Sequence, residues 1–152
     1  MRIYAFYSAK NFWKPISNLE AVIARLAARR NGPKDIDRLN KIVDLMEVSS
    51  IQKNNKESIR YEIEFHQTLA DISQNMVLKH LLLAISTMIK RFLEDYTKIP
   101  GTSKSAISYH KRIIKAIVEK DSDLAEAEMK AHPMDVIKTL REELNLNVRL
   151  SD

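Results

Sequence analysis

The chain has 152 residues, enough for one domain with a substantial core and too few for two comfortable ones. Hydrophobic residues make up 45% and charged residues 30%, and the longest apolar run, 81–85, is far shorter than the roughly 20 residues of a membrane span. The chain contains no cysteine, which excludes disulfides and thiolate chemistry. Its first residues lack the pattern of a signal peptide, so we expect a cytoplasmic protein without a membrane partner.

The formal net charge is +5, which raises the question of a nucleic-acid surface. Acidic residues, however, are interleaved with the basic ones along the whole chain. The densest basic segments, ARLAARR at 24–30 and KRIIK at 111–115, lie inside amphipathic patterns. We therefore interpret them as solvated helix faces.

In chain order, the first helix is predicted to begin at Ser17, where Ser17 and Glu20 have the spacing of a capping box. The segment Asn31-Gly32-Pro33 ends it, and Pro33 suits the first turn of a second helix. A polar loop over about 48–55 separates that helix from a third, over about 56–73. The fourth helix, about 76–96, is apolar around most of its circumference and is predicted to be central.

A loop at 98–104 leads to a fifth helix that ends near Glu119. Asp121 or Ser122 is predicted to cap a sixth, which runs to about Leu144. Pro133 falls inside this last helix, which should therefore kink there or be divided into two. No segment alternates at the period of a strand, so the predicted fold is all-α, an antiparallel bundle of about six helices.

The four histidines lie on or beside apolar helix faces. His66 follows Glu62 by four residues, so the two side chains should be neighbours on one helix, while His110 and His132 belong to two other helices. Helical bundles build metal sites from such inward side chains, and imidazole with carboxylate suits Zn, Ni, Fe, Cu or Mn. Ordinary buried histidines that bind no metal explain the same pattern.

Three segments together resemble a known family, the ligand-sensing C-terminal (FCD) domain of FadR-type regulators in the GntR superfamily. These segments are LEAVIARLAARR, EIEFHQTLADISQNMVL and YHKRIIKAIVEKDSDLAEAEMKAH. The resemblance covers 17–144 and leaves 1–16 and 145–152 outside the domain. It implies a cytoplasmic homodimer that regulates transcription through a winged helix-turn-helix domain, for which the first 16 residues are too few.

The resemblance also implies a site and its ligands. Residues Glu62, His66, His110 and His132 would bind a divalent metal such as Zn, Ni or Mn, next to a small carboxylate effector. His80 falls outside the motif and is expected to be structural.

The chain departs from the family pattern at three positions. Glu62 stands where Asp is usual, Pro133 follows the third histidine of the motif, and Ile16 occupies the place of an arginine that points at the ligand. The effector carboxylate is then expected to be held by Arg60, Lys90 or Arg91.

Two other functions fit the residues. An open metal position could activate water in a hydrolase-like enzyme, although no further acid, base or oxyanion donor is recognisable. A metal-free helical interaction module would use the histidines only as core residues. We expect a non-enzymatic sensor domain.

Overall fold

The computed structural model describes residues 10–149, and these form six helices in an all-α arrangement, as predicted. The helices are α1 (Lys10–Arg30), α2 (Pro33–Ile51), α3 (Asn55–Ile72), α4 (Met76–Tyr96), α5 (Thr102–Val118) and α6 (Ser122–Arg149). In this part of the chain no helix is long and apolar enough to cross a membrane.

Short polar caps begin several helices. The side chains of Asn54 and Asn75 accept hydrogen bonds from backbone N–H groups in the first turns of α3 and α4. Oδ1 of Asp121 accepts from the N–H of Leu124 at 2.9 Å, so Asp121 is the residue that caps α6.

Three helices end without glycine. Lys53, Gln74 and Lys120 take the left-handed conformation just after α2, α3 and α5, with φ of 54°, 51° and 57°. This position usually favours glycine, and its use by other residues explains how a chain with two glycines makes such tight turns. The loop predicted at 48–55 shrinks accordingly, because α2 continues to Ile51.

The predicted start of the first helix is wrong. Helix α1 begins at Lys10, and Ser17 and Glu20 lie inside it, each only 5% exposed, so they form no capping box. The reason is that Trp13 and Ile16 extend the apolar stripe toward the N-terminus at helical spacing and are themselves buried.

The prediction that the fourth helix is central is also wrong for the single chain. Few side chains of α4 are buried, and several large apolar ones are exposed. The exposed set is Met76, Val77, Leu81, Leu83 and Met88. Helix α4 therefore lies at the edge of the bundle, with its apolar residues divided between the core and the surface.

Helix α6 continues through Pro133, so it is one helix rather than two. Its long contact with α1 is the most extensive helix pairing in the described fold. Packing along both helices stabilises the turn in which proline removes a backbone hydrogen bond.

The core consists of two clusters, with the predicted site between them. One cluster contains Ile23, Phe65 and Met129, and the other contains Trp13, Ile59 and Val136, with further members in each. Along α1, α3 and α6 the chain passes from one cluster to the other, and Glu20, Glu62 and His132 occupy the turns between them.

Arginine side chains of the two basic segments, 24–30 and 111–115, form contacts between helices. The guanidinium of Arg25 pairs with Asp123 and Glu126 of α6, and Arg30 donates to the carbonyl of Ser73. Arg112 of α5 pairs with Glu128 at 2.9 Å. Arg25 and Arg112 are thus balanced by carboxylates of the same domain, which agrees with the interpretation of the two segments as helix faces.

Candidate metal centre

Four side chains from three helices converge on one point between the two core clusters. Glu62 and His66 come from successive turns of α3, His110 from α5 and His132 from α6. One ligand atom from each residue lies within 4.8 Å of all the others. The structure thus brings together all four residues that the sequence singled out as metal ligands.

The carboxylate of Glu62 lies beside all three histidines of this cluster. Its Oε1 lies 3.3 Å from Nε2 of His66, 3.4 Å from Nε2 of His110 and 3.3 Å from Nε2 of His132. Ligand atoms held about 2.0–2.2 Å from one ion stand roughly 3.0–3.5 Å apart. The three separations from Glu62 fit that requirement. The longer side chain of Glu62 thus reaches the site where the family usually has Asp.

His110 gives a second test of the fit. Its side chain is fully buried and stacks on Phe65 with 4.0 Å between ring centroids. Among the described residues, neither of its ring nitrogens has a hydrogen-bond partner. A buried polar atom without a partner costs about 1–3 kcal/mol, and an ion at the centre of the cluster would occupy Nε2. The four residues could therefore hold a divalent metal.

The electrostatics of the cluster favour a charged carboxylate. Burial raises the pKa of the Glu62 carboxyl, but the nearby histidines, His110 foremost, outweigh burial and hold that pKa well below its usual range. Burial also lowers the pKa of His110, to about 4, so its imidazole is neutral and able to act as a ligand.

Glu20 is a functional residue that the sequence reasoning missed. Its Oε1 lies 2.9 Å from Nδ1 of His66, at an ion-pair distance, although off the direction of the ring N–H. Burial lowers the pKa of His66, but Glu20 and then Glu62 overcome burial and raise it to about 10. The spacing of Ser17 and Glu20 suggested a capping box, so Glu20 was not considered as a neighbour of the cluster. The available signal was that Glu20 lies in a stripe with Trp13, Ile16 and Ile23 at helical intervals.

A cavity of about 80 Å³ adjoins the cluster. Glu20, Glu62, His66 and His132 form its polar end. Most of the remaining wall is apolar and comes from all six helices; it includes Trp13, Met46, Ile63, Leu82, Ile89, Phe92, Leu93, Ile107 and Val136. A small molecule in this cavity would lie beside the cluster, between walls to which every helix contributes.

The three cations predicted to hold a ligand lie elsewhere. Arg60, Lys90 and Arg91 are exposed, and none of them lines the cavity. Arg60 pairs with Glu57 and lies over the ring of Tyr61. His80 is likewise exposed and outside the cluster, with Nδ1 2.6 Å from the carbonyl oxygen of Met76. Ile16, at the arginine position of the family pattern, is buried in the core.

Comparisons with known proteins agree with this fold. The family model of the FCD domain matches residues 17–135. The chain is 32% identical over 136 residues to the HTH-type transcriptional regulator LutR of Bacillus subtilis, a match that covers 86% of this chain and 61% of LutR. It is 27% identical over 122 residues to the HTH-type transcriptional repressor NanR of Cronobacter sakazakii, covering 79% of this chain and 46% of NanR.

A solved structure is also similar. The GntR protein of Streptococcus agalactiae superimposes with a TM-score of 0.73 at 26% identity, over 89% of this chain and 60% of that one. The chain thus spans between about half and three fifths of the length of these relatives. On this evidence the chain belongs to the FCD domain family, that of the C-terminal domains of FadR-type regulators in the GntR superfamily.

Proposed function

We propose that this domain is the effector-sensing and dimerisation part of a GntR-type transcription regulator. It binds a divalent metal through Glu62, His66, His110 and His132 and a small carboxylate in the adjoining cavity. The observation that carries this proposal is the placement of a converged set of ligand atoms at the polar end of an otherwise apolar cavity.

The ion would supply positive charge, and thereby an anion site, at the polar end of the cavity. The chain's own residues would hold the ion in place. His66, His110 and His132 would present ring nitrogens to the ion from three helices, and Glu62 would offset part of the ion's charge. Zn, Ni and Mn all suit this ligand set.

Signal transmission follows from which helices form the walls. Trp13 of α1 and Phe92 of α4 belong to the lining, so an effector contacts two helices that carry no metal ligand. A ligand that fits one arrangement of these helices better than another shifts the population toward it. Attached DNA-binding domains would then change their separation on paired half-sites, a spacing to which such dimers are sensitive.

Dimerisation is assigned to α4. Val77, Leu81, Ala84 and Met88 recur at intervals of four, three and four residues and are all exposed. An apolar stripe of this kind on a single chain typically marks an interface, and the occupant we propose is the same stripe of a second copy.

The test of the metal site is the metal content of untagged protein, measured by elemental mass spectrometry after incubation with Zn²⁺, Ni²⁺ or Mn²⁺. We expect about one ion per chain in the wild type and loss of that ion in a His66→Ala/His110→Ala double variant. His80→Ala is the matched control, since it removes an exposed histidine outside the cluster. Equal metal content in the wild type and the double variant, or none in any protein, would contradict the proposal.

A further inference from the structure

The cavity beside the metal centre has an acidic charge pattern. The acidic side chains in its lining are Glu20 and Glu62, next to the imidazoles of His66 and His132, and no lysine or arginine of the described chain belongs to it. A buried charge is costly unless it is paired. The positive charge available to an anionic effector is therefore concentrated at one end of the cavity, where the cluster would hold its ion.

This arrangement favours ligands with one carboxylate over ligands with two. One carboxylate can lie at the polar end, whereas a second on the same small molecule would lie against apolar side chains such as Leu82 and Phe92. An ionised carboxylate without a partner in such surroundings costs several kcal/mol. The lining therefore disfavours dicarboxylates and tricarboxylates.

The hydroxyl groups of the lining give an independent restriction. Ser86 donates to the carbonyl of Leu83 at 2.7 Å, and Thr97 donates to that of Leu93 at 2.8 Å. Thr102 donates to the carbonyl of Ile99, three residues earlier, at 2.9 Å. These donors are already engaged within the fold. A polyhydroxylated acid would bury several hydroxyls and find few polar partners in the lining beyond Gln67 and Ser103, which is unfavourable.

The size of the cavity determines how much of a ligand it can enclose. A buried water needs about 10–15 Å³, so the observed cavity of about 80 Å³ has room for roughly five to eight non-hydrogen atoms. A carboxylate with three to five further carbon atoms fills that space.

We infer that the effector is a small monocarboxylate with a short apolar body, its carboxylate at the metal centre and its body against Trp13, Leu82 and Phe92. This inference rests on the proposed function and narrows it to one chemical class.

The chain provides its own reporter for a test. Trp13 is the single tryptophan and belongs to the cavity wall, so its fluorescence should respond to occupancy. Protein loaded with one equivalent of Zn²⁺ is titrated with pentanoate, succinate, citrate, gluconate and the neutral pentanamide. We expect pentanoate to bind at least about tenfold more tightly than each of the others, a difference of about 1.4 kcal/mol.

A pair of lysine variants makes the charge argument specific. Ser86→Lys adds a cation to the lining and should improve succinate binding relative to pentanoate by about tenfold. Thr87→Lys adds the same charge at an exposed neighbouring position and should leave the ratio unchanged.

Failure of the monocarboxylate inference and failure of the proposed sensing function would give different results. If succinate, citrate, gluconate or pentanamide binds as tightly as pentanoate, or if both lysine variants change the ratio equally, the monocarboxylate inference is wrong and carboxylate sensing can still stand. If none of the acids binds although the ion is retained, the proposed sensing function itself is overturned.

Discussion

The imidazole of His66 lies between two carboxylates: Oε1 of Glu20 is 2.9 Å from its Nδ1, and Oε1 of Glu62 is 3.3 Å from its Nε2. Glu62 belongs to the same helix as His66, whereas Glu20 reaches across from α1. A carboxylate beside Nδ1 favours a proton on that nitrogen, so Nε2 is the nitrogen that a metal would bind once its own proton is displaced. We therefore propose that Glu20 is a positioning residue, one step removed from the ion that the cluster would hold.

The first prediction concerns Glu20→Gln. The substitution keeps the size of the side chain but removes the charge that fixes the His66 proton on Nδ1. We expect the affinity for Zn²⁺ to fall by about 10- to 100-fold, the usual effect of losing such a partner. Competition with a fluorescent chelator measures the affinity for Zn²⁺. Glu94→Gln, on the exposed side of α4, is the matched control and should change nothing; equal affinities for all three proteins would refute the role of Glu20.

A second prediction concerns proton release on metal binding. The pKa of His66 is raised to about 10 in the metal-free protein, since Glu20 and Glu62 outweigh the opposing effect of burial, so the ring is protonated at neutral pH. A metal must displace that proton from Nε2. Calorimetric titrations with Zn²⁺ at pH 7, in two buffers of different ionisation enthalpy, should show about one proton released. Release near zero would contradict the protonated state of His66.

The same raised pKa has a consequence for stability. The stabilisation that the His66 imidazolium gives to the metal-free fold is complete below the unfolded value of about 6.5. It is lost as pH rises through about 10.

A third prediction uses His110, whose pKa is lowered to about 4, chiefly by burial. Between about pH 6.5 and 4 the unfolded chain binds a proton at this residue that the native state does not, so the free energy of unfolding must fall as pH falls. The contribution is at most about 1.4 kcal/mol per pH unit. Urea unfolding of the metal-free protein at several pH values measures it.

The control for this titration is His110→Gln, which removes the ionisable group. Its slope of unfolding free energy against pH should be smaller than that of the wild type over the same window. Identical slopes would mean that His110 is already protonated in the native state.

Helix positions and the four ligand candidates could be predicted from the sequence because both depend on local spacing. Glu62 and His66 are four residues apart, and the stripes around His110 and His132 mark the inward faces of their helices. The role of Glu20 could not be predicted in this way, since it depends on where α1 begins and on how it packs against α3. The sequence also cannot distinguish an apolar face that is buried in the chain from one left exposed, which is why α4 was misplaced.

A fourth prediction concerns stabilisation by the metal. If the cluster binds Zn²⁺ in the native state only, an excess of free ion at 100 times Kd should stabilise the fold by about 2.7 kcal/mol. For a chain of this size the melting temperature should rise by roughly 5–11 °C. Differential scanning fluorimetry before and after chelation measures the shift. Glu62→Gln should lose most of it, whereas Glu57→Gln, half-buried on the same helix and outside the cluster, should keep it in full.

The last prediction concerns the exposed face of α4. Val77 and Leu81 are 69% and 51% exposed and lie one turn apart, so together they form the most accessible part of the stripe proposed to pair with a second copy. Leu81→Glu puts a charge into that contact, and charges are depleted from the cores of such interfaces. We expect a dimer in the wild type and a monomer in the variant by light scattering coupled to size-exclusion chromatography. Val118→Glu is the matched control, because Val118 is 53% exposed at the end of α5 and away from the stripe, and it should remain dimeric. A monomeric wild type, or dissociation by both substitutions alike, would show that α4 is not the dimer contact.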